Sequence, residues 1–158
     1  MKQQYYNKAV YLFGILSLCF FMGLTGCVTT TTGDFHKNSS KLVSVSIQAA
    51  MEYMKAGETK SAHRHLQKAL ETDAKSFEGH NALALLYQYE GDYELAEKHF
   101  KLALKYSKHN AKILNNYGSF LFARGRYAES LVQLEKAALD AQYERRYLVY
   151  GNLGRCAL

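Results

Sequence analysis

The sequence predicts an all-α chain of antiparallel helix hairpins stacked into a superhelix. Two observations carry this expectation. There is no proline among 158 residues, and proline, which lacks the amide donor and clashes with the preceding turn, is the residue that most often breaks helices. From about Leu42 onward, three residue classes recur in one phase at an interval of 34: Gly57, Gly91 and Gly125; Leu66, Phe100 and Leu134; Ala69, Ala103 and Ala137. An interval of this length is one supersecondary unit repeated along a chain.

The residues before the first repeat read as an address and a tether. Lys2 and Lys8 give a positive start, and residues 9–24 form an uncharged run of 16. That run is shorter than the roughly 20 residues a spanning helix needs and suits a secretory apolar region. The string Leu24-Thr25-Gly26-Cys27 resembles the lipobox of bacterial lipoprotein signal peptides. The resemblance implies that residues 1–26 are a signal peptide and that Cys27 is lipidated, since only a thiol supplies the nucleophile for a thioether. An uncleaved signal anchor with an incidental cysteine is the alternative. Val28 follows the cysteine where an aspartate would favour inner-membrane retention, so the resemblance implies lipid anchoring in the outer membrane, on its periplasmic face. Residues 27–41, with four consecutive threonines, show neither strand nor helix period and read as a flexible tether. Cys19 leaves with the signal and Cys27 takes the lipid, so Cys156 has no intramolecular disulfide partner.

Charge excludes one class of partner. The formal net charge is +6, falling to +4 once Lys2 and Lys8 are removed, and the basic residues alternate with glutamates along the chain. This is not the footprint of a nucleic-acid binder.

The repeat domain occupies residues 42–158, with full copies at 43–76, 77–110 and 111–144 and a truncated fourth. Leu83-Ala84, Tyr87, Gly91-Asp92-Tyr93, Ala96, Phe100 and Ala103 in the second copy resemble the tetratricopeptide repeat, a hairpin of helix A and helix B. Gly57, Gly91 and Gly125 fall where helix A ends and a positive φ is needed. Ala69, Ala96, Ala103 and Ala137 are small where helices cross closely, and Phe100 and Leu134 fill the space beside them. Asp92 is placed to cap helix B of the second copy, over Tyr93 to Tyr106. The copies differ: Thr59 stands where the others have Tyr93 and Tyr127, Ser130 replaces a small apolar residue, and Leu153-Gly154 comes two residues late. That delay implies a longer turn or helix B around residues 142–146. The apparent helix A ending at Leu158 would expose an apolar face. This implies either a longer parent protein or a partner covering that end.

In the tetratricopeptide family the A helices line the concave surface, and the register then names the candidate partner-binding groove: Met51, Asn81, Leu85, Tyr89, Asn115, Ser119 and Phe122, with Ile47, Met54, Glu78, Gln88 and Lys112 beside them. Methionine, aromatic and amide side chains suit an adaptable surface for an extended or helical peptide. Packing between helices is the competing role for each apolar member. A carboxylate-binding version of the groove would need more basic residues than Lys112 provides.

No chemistry of bond-making emerges. The six histidines include no HExxH motif and no pair at i,i+4; His63 and His65 face different sides of a helix, and His80, His99 and His109 fall in separate elements. Surface or capping roles account for them. Gly151-Asn152-Leu153-Gly154 lacks the Lys-Ser/Thr ending of a phosphate loop. The expectation is a binding protein with no catalytic residue, no metal and no cofactor.

The strings at residues 57–69 (GETKSAHRHLQKA), 87–103 (YQYEGDYELAEKHFKLA), 115–130 (NNYGSFLFARGRYAES) and 150–158 (YGNLGRCAL), preceded by lipobox and tether, resemble the type IV pilus biogenesis and stability lipoproteins of the PilW/PilF family. The resemblance implies a monomeric pilotin that binds secretin subunits and helps the secretin assemble in the outer membrane. It also implies six repeats in the parent protein. A different periplasmic tetratricopeptide scaffold for cell-envelope or peptidoglycan machinery is the alternative, and an enzyme whose catalytic part lies beyond Leu158 is a more distant one.

Overall fold

The computed structural model describes residues 32–156, with side chains from Asn38 onward; the expected signal peptide and Cys27 lie outside the described residues. Seven helices follow one another: α1 (Thr32–Lys55), α2 (Thr59–Thr72), α3 (Phe77–Glu90), α4 (Tyr93–Ser107), α5 (Ala111–Ala123), α6 (Tyr127–Ala138) and α7 (Arg146–Cys156). The odd-numbered helices are the A helices and the even-numbered ones the B helices. The chain separates into two compact units, residues 1–34 and 35–158; of the first, only Thr32–Asp34, in the opening turn of α1, is described. No helix among the described residues is long and apolar enough to cross a membrane.

The helices begin and end where local chemistry directs. Gly57, Gly91 and Gly125 follow the A helices at φ of 76°, 84° and 74°, the left-handed region that costs glycine nothing. The B helices stop differently: α4 ends on Lys108 and His109, both at positive φ. Ser76 Oγ accepts from the Gly79 amide at 3.1 Å, Asp92 Oδ1 from Leu95 at 3.1 Å, and Asn110 Oδ1 from Lys112 at 3.0 Å. Each satisfies one amide that the first helical turn leaves open.

One expectation is corrected at the start of the domain. The stretch expected as tether through residue 41 is helical from Thr32. Absence of an apolar period shows only that a segment has no buried face. A helix can be polar all round, and apart from Gly33 nothing in this stretch disfavours helix strongly. At the other end the structure agrees with the two-residue delay: residues 139–145 form turns between α6 and α7.

The core follows the repeat phase. Ala50, Ala62, Leu66, Ala82, Leu83 and Leu86 make one buried cluster across α1 to α3. A second joins α3 to α7, with Phe100, Phe120, Leu121, Leu134 and Val149 among its buried members. Phe100 is 0 % exposed and lies 5.3 Å from Phe120 and 5.6 Å from Tyr117, ring centroid to centroid, at tilted angles. Ala62, Ala69, Ala96, Ala103 and Ala137 are fully buried, as close helix crossing requires. Ser130, the departure from the small apolar pattern, is buried too. Its hydroxyl donates to the Gly118 carbonyl at 2.7 Å, which removes the cost of burying it.

Candidate functional site

The A helices bring part of the expected groove together. Met51, Asn81 and Leu85 line a cleft of about 350 Å³ with Ile47, Phe77 and Lys112. Asn115 belongs to the next cleft, about 480 Å³, with Lys112, Asn116, Tyr143 and Arg145. Lys112 borders both. The other three expected residues lie outside these clefts. Ser119 Oγ accepts from Asn152 Nδ2 at 2.8 Å. Phe122 is half-buried, its ring meeting Tyr127 edge-on at 5.2 Å and lying 5.2 Å from the Arg155 guanidinium. Tyr89 is 63 % exposed.

Asn81 and Asn115 turn out to be 7 % and 6 % exposed, because each is tied to the next A helix. Asn116 Nδ2 donates to Asn81 Oδ1 at 3.0 Å, and Asn152 Nδ2 donates to Asn115 Oδ1 at 2.8 Å. The second repeat thus bonds to the third as the third bonds to the fourth. One repeat earlier the same two register positions are Ile47 and Ala82, both apolar and both on the first cleft. Sequence reasoning missed Asn116 and Asn152. The signal was present: Asn116 directly follows Asn115, and Asn152 matches it once the two-residue delay of the fourth copy is counted.

A second network binds the repeats on the B-helix side. Glu97 of α4 accepts from Arg126 Nη1 at 2.6 Å, from Tyr117 Oη at 2.9 Å and from Lys101 Nζ at 2.8 Å. Arg126 also grips Glu129 at 2.7 and 2.6 Å. The Arg126 guanidinium, with Lys101 and Tyr117, holds the Glu97 carboxyl down to about 2. Burial and the adjacent carboxylate push the Tyr117 phenol well above its ordinary value. This charge-assisted cluster crosses from the second repeat to the third.

The histidines are closer than helical spacing implied. Although His80 and His99 belong to different helices, hairpin packing places their Nδ1 atoms 3.0 Å apart. His80 Nε2 lies 3.2 Å from the Ala74 carbonyl, an acceptor only, so His80 donates there and its Nδ1 accepts from His99. An accepting Nδ1 keeps His80 neutral, and burial disfavours a charge on either ring. Tyr106 stacks on His80 and Tyr87 on His99, each at 5.5 Å. Burial, aided by His80 and Lys98, pushes His99 down to about 4, and burial lowers His80 as well. Among the described residues no group of three His, Cys, Asp or Glu side chains could hold a metal ion. The Cys156 thiol lies 3.5 Å from Ser130 Oγ.

A tetratricopeptide-repeat family model matches residues 81–145. The type IV pilus assembly protein PilF of Pseudomonas aeruginosa is 39 % identical over 142 residues, covering 87 % of this chain. This is a tetratricopeptide-repeat chain homologous to PilF and PilW. The solved structure of Pseudomonas aeruginosa PilF matches with a TM-score of 0.74 at 37 % identity, over 76 % of this chain and 54 % of that one. The crystal structure of PilW, a widely conserved type IV pilus biogenesis factor, matches at 0.70 and 34 % identity, over 73 % and 53 %. The chain spans 56 % of the PilF sequence it matches.

The neutral histidine pair gives this PilF-like stack a pH dependence of definite sign. His99 titrates at about 4 in the folded chain against an ordinary 6.5, so the unfolded chain takes up the proton first. Its contribution to stability is complete above about pH 6.5 and is lost as pH falls toward 4. Glu97, held at about 2 against 4.5, contributes above pH 4.5 and loses its contribution below, outside most of the histidine window. Urea titrations at pH 7 and pH 5 are expected to differ by about 1–2 kcal/mol, reduced from the full linkage because His99 is half-exposed. The His99→Phe variant should flatten that difference; an equal slope in wild type and variant would exclude the pair as its source.

Proposed function

We propose that this chain is an outer-membrane lipoprotein adaptor, a pilotin, that binds secretin subunits and promotes secretin assembly in type IV pilus biogenesis. The observation that carries the reading is the match to PilF, which extends over 87 % of the chain, well beyond what a generic repeat model covers. A stack of hairpins with clefts along its A helices is a binding surface and needs no catalytic residue. In this reading Cys27 carries the lipid and holds a monomer on the periplasmic face of the outer membrane. Met51, Asn81, Leu85, Tyr89, Asn115, Ser119 and Phe122 mark the face that meets the secretin. The anchor supplies effective concentration: a tethered adaptor meets membrane-bound subunits as an intramolecular partner would.

Secretin multimers, resolved by immunoblot from cell envelopes, test this. Deletion of the gene is expected to remove multimers and surface pili, and the wild-type chain to restore both. Cys27→Ala should restore them poorly, with loss of palmitate labelling. Multimers and pili that persist unchanged in the deletion strain would refute the pilotin reading. Labelling that survives Cys27→Ala would refute the anchor.

A further inference from the structure

Resting on the proposed anchor for where the chain sits, we propose that the outward face of the B helices docks on an anionic phospholipid surface. In α4 the buried residues Ala96, Phe100 and Ala103 occupy one side of the helix. Lys98, Lys101 and Lys105 fall on the opposite side, at spacings of three and four, and all three are exposed. With Glu94, Glu97 and Leu102 they line a cleft of about 560 Å³. Lys101 is paired with Glu97 at 2.8 Å. Lys98 and Lys105 form no ion pair among the described residues. The B helices adjoin: α2 and α4 border one cleft through Gln67 and His99, and Arg126, the residue before α6, holds Glu97 of α4 at 2.6 Å.

The interval of 34 repeats this outward side on α2 and α6. Over the positions in phase with Glu94, Lys98, Lys101, Leu102 and Lys105, the three helices carry seven basic residues and three acidic ones. The difference of four equals the whole net charge of +4 beyond residue 26, so the positive excess of the domain is gathered here. Two lysine positions change character in the third repeat: Lys98 becomes Val132 and Lys105 becomes Leu139. Both replacements are exposed, and Leu139, at 84 %, is the most exposed large apolar side chain among the described residues. Lysines beside exposed aliphatic groups match a bilayer interface, where lipid phosphates attract the ammonium groups and the acyl boundary takes the apolar side chains. Lysine stems lie along such a boundary while their charged ends stay among the headgroups. A nucleic acid would satisfy the lysines through its phosphates but has no place for Leu139, and a phospholipid surface is what the anchor brings within reach.

The chain contains no tryptophan, so a single one introduced on this face reports on its surroundings alone. Leu139→Trp and Val132→Trp on the B-helix side, and Tyr89→Trp on the A-helix edge, are purified from cell envelopes as the mature protein. Each is reconstituted into vesicles with brominated acyl chains, made of phosphatidylcholine alone or of equal parts phosphatidylcholine and phosphatidylglycerol. Both B-side tryptophans are expected to shift to shorter wavelength and be quenched in the anionic vesicles only, and Tyr89→Trp in neither. Adding Lys98→Glu/Lys105→Glu to Leu139→Trp should lower the quenched fraction at least about tenfold. About 1 M NaCl, where the Debye length is about 3 Å, should do the same. If the charge reversal lowers the urea midpoint, Lys98→Gln/Lys105→Gln replaces it and should still reduce quenching. Unchanged quenching in both charge variants would overturn the proposal. So would equal quenching in neutral and anionic vesicles, and so would quenching of Tyr89→Trp alone. Unquenched B-side tryptophans together with crosslinks from Lys98 to an acidic envelope protein would give the face to a protein and overturn lipid docking. Flotation with the vesicles reads the anchor separately. Chains that float with both vesicle types while both B-side tryptophans stay in water would leave the anchor standing and overturn the docking face. Chains that float only with anionic vesicles, their tryptophans quenched, would refute the anchor and support the face.

Discussion

Replacing Phe100 with alanine is expected to destabilise the chain by about 3–5 kcal/mol, the range for emptying a buried aromatic site. Phe100 is fully buried and touches the rings of Tyr117 and Phe120, so it belongs to the second repeat by sequence and to the third by contact. Its loss leaves a cavity that rigid helices on both sides cannot close, and it weakens the interface on which a stacked repeat depends for stability. Urea denaturation should show a lower midpoint, and a shallower or two-step transition if the repeats uncouple. Tyr93→Ala, on the same helix but with Tyr93 41 % exposed, serves as the comparison and should cost about 1 kcal/mol or less. Equal losses in the two variants would mean that the repeat interface does not depend on the buried ring.

The second large effect is expected at Gly118. A Cβ there would stand 2.8 Å from both Cγ and Cδ2 of Leu134, a side chain that is itself fully buried and cannot swing into solvent. Gly118→Val adds three carbons where one already collides. It should destabilise by about 3 kcal/mol or more, at the upper end of overpacking. It should also displace the Ser130 hydroxyl from the Gly118 carbonyl, leaving a buried donor unpaired. A Gly118→Val protein that melts within two degrees of wild type would show that α5 and α6 do not approach as closely as described. The pairing of Gly118→Ala with Leu134→Ala should recover part of the loss, since the two sites share one space.

The repeat phase was readable because close helix crossing demands small residues at fixed places. Ala69, Ala96, Ala103 and Ala137 could be placed in the core without coordinates, and all are buried. The glycines were readable for a backbone reason, and all three take positive φ. What stayed hidden depends on which side chain faces which across two helices. The His80 and His99 contact joins residues 19 apart in sequence, beyond any spacing rule for a single helix. Asn81 and Asn115 were recognised as members of the A-helix face, but their hydrogen bonds to Asn116 and Asn152 require the register between repeats. The Glu97 cluster was invisible for the same reason: Glu97 looked like a favourable charge on the first turns of a helix, while its partners Tyr117 and Arg126 come from the following repeat. The start of α1 was not legible because the absence of an apolar period excludes a buried face and not a helix.

The central claim, that the A-helix face captures the secretin, is tested most directly by photocrosslinking in living cells. A photoreactive phenylalanine analogue is placed at Met51 on the first cleft, at Tyr89 on the exposed A-helix edge, or at Lys101 on the B-helix side as a control. The account predicts a secretin adduct from Met51 and Tyr89 and none from Lys101. Secretin adducts from Lys101 alone would contradict it.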